Sequence, residues 1–341
     1  QVTSITSATV FTITQSTAAT ATVGTGGSLS VKPYEQVGPA EQSYGYGWGI
    51  DTWSSGAWGE AASASDVSLE PGLWSLSNFG QVLVATIANG KTFTWNAGDA
   101  ARLTTRASTT TSGFETTNNP TATRVTLISP TTRHLIHLGT ETTIGDPATQ
   151  DDMFIRFSDQ EDINDYLPTA INSAGSQRLQ DGTKIIGALK AKESILVWTD
   201  NALYTMKFIG SPFTFGFEQV GTNCGLIGKN AAIEIDGMAF WMSSNGFFMF
   251  DGTVKSMPCS VEDYVYDQAD TTKGQQIYAG LNNQFTEITW YYPSTNSEYN
   301  DQYVIYNYGA GAEKLPGGVW YIGTEARTSW IDASVYPKPS A

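Results

Sequence analysis

The alternation of apolar and polar positions is clearest in residues 185–252, where one motif occurs twice. Each copy has a short apolar strand, a tight turn of Asn, Asp, Ser or Gly, and then a second strand rich in aromatic residues. The copies comprise residues 195–198 with 203–208, and residues 238–242 with 247–250. Apolar runs of this length between turn residues are typical of buried hairpin strands rather than of helices.

Similar hairpins recur along most of the chain, at residues 82–95, 133–157, 287–306 and 318–331. Anchor positions for the repeat are Leu83, Leu135, Leu196, Phe240 and Thr289. A period of about 45 to 55 residues is the size of a four-stranded propeller blade, and nothing helical is predicted between the copies. The sequence therefore predicts an all-β fold, a β-propeller of about five or six blades over residues 71–341, with a β-sandwich as the alternative.

Two shorter segments precede this region. Residues 1–30 alternate Thr and Ser with Val, Ile and Phe, which predicts strands at the end of a small β module. Residues 31–70 form a Trp- and Gly-rich arm or linker. Its aromatic rings must be buried against some surface, because each ring has a large apolar area. One interpretation is a linker held against its own domain, and the other is a subunit-interface arm. The interface candidates are Tyr44, Tyr46, Trp48, Trp53 and Trp58.

Composition and charge narrow the possible partners. The formal net charge is -15, with 18 Lys plus Arg against 33 Asp plus Glu. An acidic chain repels phosphate, which argues against ordinary DNA or RNA binding. The sequence has no long apolar run, so no transmembrane span is predicted. Cys224 and Cys259 lack ligand-like spacing and are expected to be reduced rather than joined in a disulfide.

The candidate chemistry is sparse, and the sequence predicts no enzyme, metal site or cofactor. His134 and His137 are three residues apart on a predicted strand, so they point to opposite faces and cannot share a metal ion. Residues 86–93 approach the Asp-box of sialidase-type propellers, but Ala88 stands where its Asp should be. The motifs GxSxG, HExxH and the Gly-Lys-Ser/Thr phosphate loop do not occur.

One acidic run is predicted to be an exposed loop that connects blades. It contains Asp159, Glu161, Asp162 and Asp165, and it lacks the Gly and the closing Glu of an EF-hand calcium loop. These four residues are the candidates for loops that line a channel.

Several longer strings resemble a family of tail proteins of bacteriophages and prophages. The strings are IRFSDQED at 155–162, PTAINSAG at 168–175, ILVWTD at 195–200, FIGSPFTFG at 208–216 and PCSVEDY at 258–264. Within that family, the chain is similar to the propeller-bearing nozzle, or tail-hub, proteins of short-tailed phages. The resemblance covers most of the chain from about residue 31.

The resemblance implies a virion structural protein that is made in the bacterial host cytoplasm. It implies a homo-oligomeric ring of six copies below the portal and adaptor rings, in contact with adaptor or portal-proximal proteins and with tail fibres or spikes. Double-stranded DNA would pass through this channel without specific binding, and the chain would not insert into a membrane. Family members begin before Gln1 and continue past Asp332, so the chain is expected to be the middle of a longer one. The alternative is a glycan-binding or glycan-cleaving propeller at the tail tip.

Overall fold

The computed structural model describes residues 2–7, 10–13, 71–102, 107, 118–309, 317–332 and 339–340. The chain divides into two compact units, residues 1–36 and residues 37–341. In the first unit, the antiparallel strands β1 (Val2–Ser7) and β2 (Val10–Ile13) form a hairpin. This hairpin lies in the segment for which the sequence predicts a small β module.

The described residues of the second unit form five antiparallel sheets that follow one another along the chain. The first sheet has three strands, and each of the other four sheets has four strands in chain order. The strands are β3 (Trp74–Phe79), β4 (Val82–Ile87) and β5 (Thr92–Asn96); then β6 (Thr123–Ile128), β7 (Leu135–Thr140), β8 (Phe154–Phe157) and β9 (Gly175–Arg178); then β10 (Ile185–Lys190), β11 (Ile195–Thr199), β12 (Ala202–Gly210) and β13 (Thr214–Thr222); then β14 (Ala232–Ile235), β15 (Met238–Ser243), β16 (Gly246–Phe250) and β17 (Val254–Met257); and finally β18 (Tyr278–Asn282), β19 (Glu287–Tyr292), β20 (Gln302–Asn307) and β21 (Val319–Thr324).

The five sheets are the blades of a β-propeller. The first strands of successive sheets contact each other in the order β3, β6, β10, β14 and β18. The first strand of each blade is therefore innermost, and the last strand is outermost. Five separate sheets arranged in this way exclude the sandwich, which needs two sheets that face each other.

The second strand is the most deeply buried strand of every blade except the second blade, where β6 is buried to the same extent. All residues of β7 and β11 are buried, as are all but the first residue of β15 and β19. Such a strand has neighbours on both edges and both faces, so its sequence is a continuous apolar run. The five anchor positions of the predicted repeat lie in β4, β7, β11, β15 and β19. The predicted blade period is thus confirmed.

Tryptophan occupies the same place in three successive blades. Trp198, Trp241 and Trp290 are each the fourth residue of the second strand, and all three are fully buried. The rings of Trp198 and Trp241 lie 5.4 Å apart. The indole Nε1 of Trp241 donates to the carbonyl oxygen of Cys224 at 2.8 Å, and that of Trp290 donates to Ala231 at 3.0 Å. These rings join neighbouring blades across the largest apolar cluster of the described residues.

One element contradicts the prediction that nothing helical separates the repeats. The helix α1 (Glu262–Gln268) lies between the fourth and fifth blades. Its first turn carries Glu262 and Asp263, which the helix dipole favours, and Val265 is its one buried residue. A helix of seven residues is too short to show a helical period in the sequence.

The predicted last strand, residues 328–331, is also wrong. In this segment only Ile331 takes part in an isolated bridge, with Ser340. Trp330 instead lies against the innermost strand of the fifth blade, where its Nε1 donates to the carbonyl oxygen of Leu281 at 2.7 Å. A side chain on Gly280 would collide with this ring. The apolar pattern of residues 328–331 therefore reflects ring burial rather than strand pairing.

Candidate functional site

The innermost strands of the first four blades surround a groove of about 470 Å³. Side chains of β3, β6, β10 and β14 line it, together with Lys229 and Asn230 from the segment before β14. The groove follows from the propeller geometry, because the innermost strands cannot meet at the axis. It is a concave surface of the kind that holds ligands in many propellers.

Trp74 is the one aromatic side chain among the described residues that line this groove. It is 41% exposed, and its ring lies 5.9 Å from that of Phe93. Glu234 lines the same groove, and its Oε1 accepts a 2.6 Å hydrogen bond from the backbone nitrogen of Gly237. The groove thus combines an accessible aromatic ring with a carboxylate that is held in place.

Lys229 connects the fourth blade to the first. Its Nζ donates to the carbonyl oxygen of Trp74 and to the Oγ of Ser75, both at 2.7 Å. Its backbone nitrogen donates to the Oε1 of Gln275 at 3.3 Å. Burial lowers the pKa of Lys229 to about 8, because the charged form loses hydration there. The side chain therefore acts as a bridge between two blades that are distant in sequence.

The four acidic candidates lie in one loop, residues 158–174. The prediction that this loop connects blades is wrong, because it joins the third and fourth strands of the second blade. Asp159 accepts hydrogen bonds from the backbone nitrogens of Ser173 at 2.7 Å and Gln160 at 2.8 Å. Burial alone would raise the pKa of the Asp159 carboxyl. The hydrogen bonds from Ser173 and Gln160 together have a larger, opposite effect, so the pKa of Asp159 is lowered. Asp165 accepts from the side chain of Asn172 at 2.8 Å. These two carboxylates fix the shape of the loop.

The other two acidic candidates are exposed. Glu161 forms an ion pair with Arg133 at 3.3 Å, and Asp162 accepts a 2.8 Å hydrogen bond from the backbone nitrogen of Asn164. The structure thus brings all four predicted residues together in a single loop. The loop joins the outer strands β8 and β9, and none of the four is among the described residues that line the central groove. Their position on a channel of an assembled ring stays a prediction.

The two histidines are both buried in the second blade. Nδ1 and Nε2 of His137 lie 3.0 Å from the hydroxyl oxygens of Thr123 and Tyr166. Burial, with a smaller contribution from the nearby charge of Arg156, lowers the pKa of His137 to about 3. His137 is therefore neutral at pH 7 and is used as a structural hydrogen-bonding group.

His134 has its own set of partners. Its Nδ1 lies 2.7 Å from the hydroxyl oxygen of Thr132, and its Nε2 lies 3.0 Å from that of Ser173. Burial lowers its pKa to about 4, against an opposing contribution from Asp159. Ser173 also donates to Asp159, so its proton is directed away from the imidazole. The arrangement differs from a catalytic triad, in which the histidine accepts the serine proton.

An arginine and a glutamate complete the polar interior of this blade. Arg156 donates to the carbonyl oxygen of Thr142 at 2.8 Å. Glu141 is buried, and its carboxylate accepts from the backbone nitrogens of Thr121 at 2.8 Å and Gly145 at 2.7 Å. Both side chains thus close loops onto the blade, since their polar atoms satisfy backbone groups.

Sequence reasoning missed Lys229 and Trp74. A signal was present for the lysine, since it is the one charged residue in the connector of residues 223–231. A lone cation in an otherwise uncharged connector favours a specific partner. Trp74 had no such signal, because a strand that alternates polar and apolar residues does not reveal whether a groove lies beside it.

Among the described residues, no three His, Cys, Asp or Glu side chains are grouped as a metal cage. Within the same part of the chain, no helix is long and apolar enough to cross a membrane. Cys224 and Cys259 are free thiols. The interface candidates Tyr44, Tyr46, Trp48, Trp53 and Trp58 lie outside the described residues.

Comparison with protein-family models and with curated proteins gave no match. Solved structures that resemble the chain include BamB from Moraxella catarrhalis, which is 14% identical with a TM-score of 0.36, over 69% of this chain and 57% of that one. Hsv2 from Kluyveromyces lactis is 10% identical, with a TM-score of 0.35, over 69% and 58%. Sqt1 from Saccharomyces cerevisiae is 8% identical, with a TM-score of 0.41, over 76% and 77%. The chain thus spans less than two thirds of the BamB and Hsv2 chains.

Proposed function

We propose that this chain is a non-enzymatic structural component of a bacteriophage tail, part of the nozzle or hub through which the genome is ejected. The observation that carries the proposal is the acidic loop of the second blade. Residues 158–174 contain four carboxylates and no Lys or Arg. With a chain charge of -15, such a surface repels the phosphate backbone, so DNA slides past without binding.

The interior of the second blade supports a structural role. The side chains that most often perform acid–base chemistry, His134, His137 and Glu141, are buried and hydrogen-bonded to hydroxyls or to backbone groups. The lowered pKa of His137, about 3, keeps it neutral at pH 7, where a general base needs a pKa near the working pH. These residues stabilise a rigid blade.

The proposal includes the assembly that the sequence resemblance implies. Copies of the chain form a ring, adaptor or portal-proximal proteins bind on one side, and tail fibres or spikes bind at the periphery. The protein is located in the virion. Rigid blades suit this role, because the ring transmits force during attachment while its channel stays open.

The alternative function is a glycan-binding or glycan-cleaving propeller at the tail tip, and the central groove favours it. The exposed ring of Trp74 and the fixed carboxylate of Glu234 line the same groove. Aromatic rings beside carboxylates are a common arrangement for sugar recognition, because a ring stacks on the apolar face of a sugar while the carboxylate accepts its hydroxyls.

Two assays on the purified chain separate these functions. The structural proposal predicts no turnover of sialosides, bacterial polysaccharide or peptidoglycan, and no tight binding of double-stranded DNA at low salt. Turnover of any glycan that is lost in Trp74→Ala would establish the alternative. Tight, salt-sensitive DNA binding would contradict the acidic-conduit proposal, because such binding requires cations that neutralise phosphates.

A further inference from the structure

Five large apolar side chains are exposed on one rim of the propeller, at the boundary between the second and third blades. They are Leu167, Ile171, Phe208, Ile209 and Phe213. Two come from the acidic loop, and three come from β12 and the turn that follows it. We call these five residues the rim patch.

Several contacts hold the two halves of the rim patch together. The hydroxyl of Thr214 donates to the carbonyl oxygen of Ser173 at 2.9 Å, which fastens the turn of the third blade to the loop of the second. Beneath this bond, His134 lies 6.2 Å from the ring of Phe208 and 5.0 Å from that of Phe215. The patch therefore rests on a packed aromatic base.

The backbone beside the patch is held in an unusual conformation. Thr214 has a φ of 61°, which is rare for a β-branched residue, and Glu161 also has a φ of 61°. Residues in such conformations persist only where surrounding contacts impose them, and they are frequent at ligand-binding sites. The loop and the turn are thus built to present their side chains outward rather than to collapse onto the blade. Ile171 is 98% exposed and Phe213 is 73% exposed.

We propose that the rim patch is a docking surface for a segment of another protein, one that carries apolar side chains flanked by Lys or Arg. Exposed apolar clusters with a polar border are typical of protein interaction sites. Charge determines which partner fits. Four carboxylates, those of Asp159, Glu161, Asp162 and Asp165, lie in the loop that supplies part of the patch.

Positive charge near the patch is smaller. Arg133 is paired with Glu161, and Lys207 is exposed one residue before Phe208. Negative charge is thus in excess. A two-fold contact between copies of the chain would bring the same carboxylates face to face, and a head-to-tail contact in a ring would set the patch against another surface of a chain with a net charge of -15. A second copy is therefore a poor occupant of this surface. A basic, apolar segment complements both the patch and its border.

The test is a selection of short random peptides on the immobilised full chain. The proposal predicts that enriched peptides combine apolar residues with Lys or Arg and lack acidic residues. Their affinity should fall roughly tenfold or more for the double variant Ile171→Ser and Phe213→Ser, since the central apolar anchors carry most of the binding energy. The matched control is Phe285→Ser, because Phe285 is 58% exposed in a turn of the fifth blade. The control should bind the peptides like the unaltered chain.

A charge-reversal variant tests the second part of the proposal without removing apolar side chains. The double variant Glu161→Lys and Asp162→Lys should bind the same peptides with several-fold lower affinity. High salt should also lower the affinity of the unaltered chain for these peptides. Circular dichroism and an unchanged Tm show that each variant is folded. The proposal is overturned if no peptide is enriched or if the enriched peptides are acidic. It is also overturned if the peptides bind the Ile171→Ser and Phe213→Ser double variant as tightly as they bind the Phe285→Ser control. Self-association of the chain through the patch, seen by sedimentation, would overturn it as well.

Discussion

The Nζ of Lys229 donates a 2.7 Å hydrogen bond to the backbone carbonyl oxygen of Trp74, which lies 155 residues earlier in the chain. The same nitrogen donates to the hydroxyl of Ser75. A single side chain thus links the fourth blade to the first across the central groove. Because backbone pairing between blades is limited to isolated bridges such as those of Gly90 with Thr123 and Asn230 with Tyr278, links of this kind help to fix the position of one blade relative to another.

Replacing this lysine tests the link. Lys229→Met keeps the length of the side chain but leaves the carbonyl oxygen of Trp74 and the hydroxyl of Ser75 without this donor. We expect the free energy of unfolding at pH 7 to fall by about 1 kcal/mol, measured by urea denaturation. The control is Lys207→Met, at an exposed lysine of β12, which should change stability by less than about 0.5 kcal/mol.

The pH dependence of this variant has a definite sign. The pKa of Lys229 is lowered from 10.5 to about 8 in the folded protein. Between these values the unfolded chain binds more protons than the folded chain, so this group makes the protein more stable as pH rises. The stability difference between the unaltered protein and Lys229→Met should therefore widen from pH 7 to pH 9.5. A difference that stays constant would show that Lys229 is fully hydrated.

His137 makes the protein sensitive to mild acid. Its pKa is lowered from 6.5 to about 3, so in this interval the unfolded chain takes up a proton that the folded chain does not. Stability must fall as pH falls through this window. Between pH 6.5 and pH 5 each buried histidine should cost on the order of 2 kcal/mol of unfolding free energy.

His137→Gln removes one of the two histidine contributions. The variant should lose about half as much unfolding free energy over this pH interval as the unaltered protein, because His134 remains. Chemical denaturation at a series of pH values measures the slopes. Equal slopes for the two proteins would mean that His137 is accessible to protons in the folded state.

The repeated tryptophans provide a matched pair of substitutions. The indole Nε1 of Trp290 donates to the carbonyl oxygen of Ala231, whereas the Nε1 of Trp198 has no partner among the described residues. Trp→Phe removes a similar volume at both sites. Trp290→Phe should therefore destabilise the protein by about 1 kcal/mol more than Trp198→Phe, since it also removes a buried hydrogen bond and leaves the Ala231 carbonyl oxygen with only the backbone nitrogen of Met242 as a donor. Similar losses would indicate that ring volume alone sets the cost.

The sequence predicted the blades but only part of each one. The apolar second strands, such as β11 and β15, have neighbours on all sides, and their continuous apolar runs are visible without a structure. The outermost strands cannot be recognised in the sequence in this way. β9 (Gly175–Arg178) has no buried residue, so nothing in its composition distinguishes it from a loop. The sequence therefore reveals a strand only where most residues of that strand are buried.

The candidate site shows the same limit. The sequence identified the acidic loop because carboxylates without counter-charges predict an exposed segment. It gave no means to separate Asp159 and Asp165, which hold the loop, from Glu161 and Asp162, which face solvent. That distinction depends on hydrogen bonds to Ser173 and to other residues of the loop, which are set by the folded backbone.

These roles within the loop are testable. Asp159→Ala removes the acceptor for the backbone nitrogens of Ser173 and Gln160, so amide hydrogen exchange across residues 158–174 should become faster. Glu161→Ala breaks only an exposed ion pair, worth at most about 1 kcal/mol, and should leave the exchange unchanged. Equal protection in both variants would show that the loop is held by its apolar contacts alone.

The most direct measurement of the central proposal is electron cryomicroscopy of the assembled particle that contains this chain. The nozzle proposal predicts a closed ring of copies around a DNA-sized channel, with the acidic loop of residues 158–174 facing that channel. A peripheral spike with the central groove of each propeller directed outward, or a ring in which the acidic loop faces away from the DNA, would contradict it.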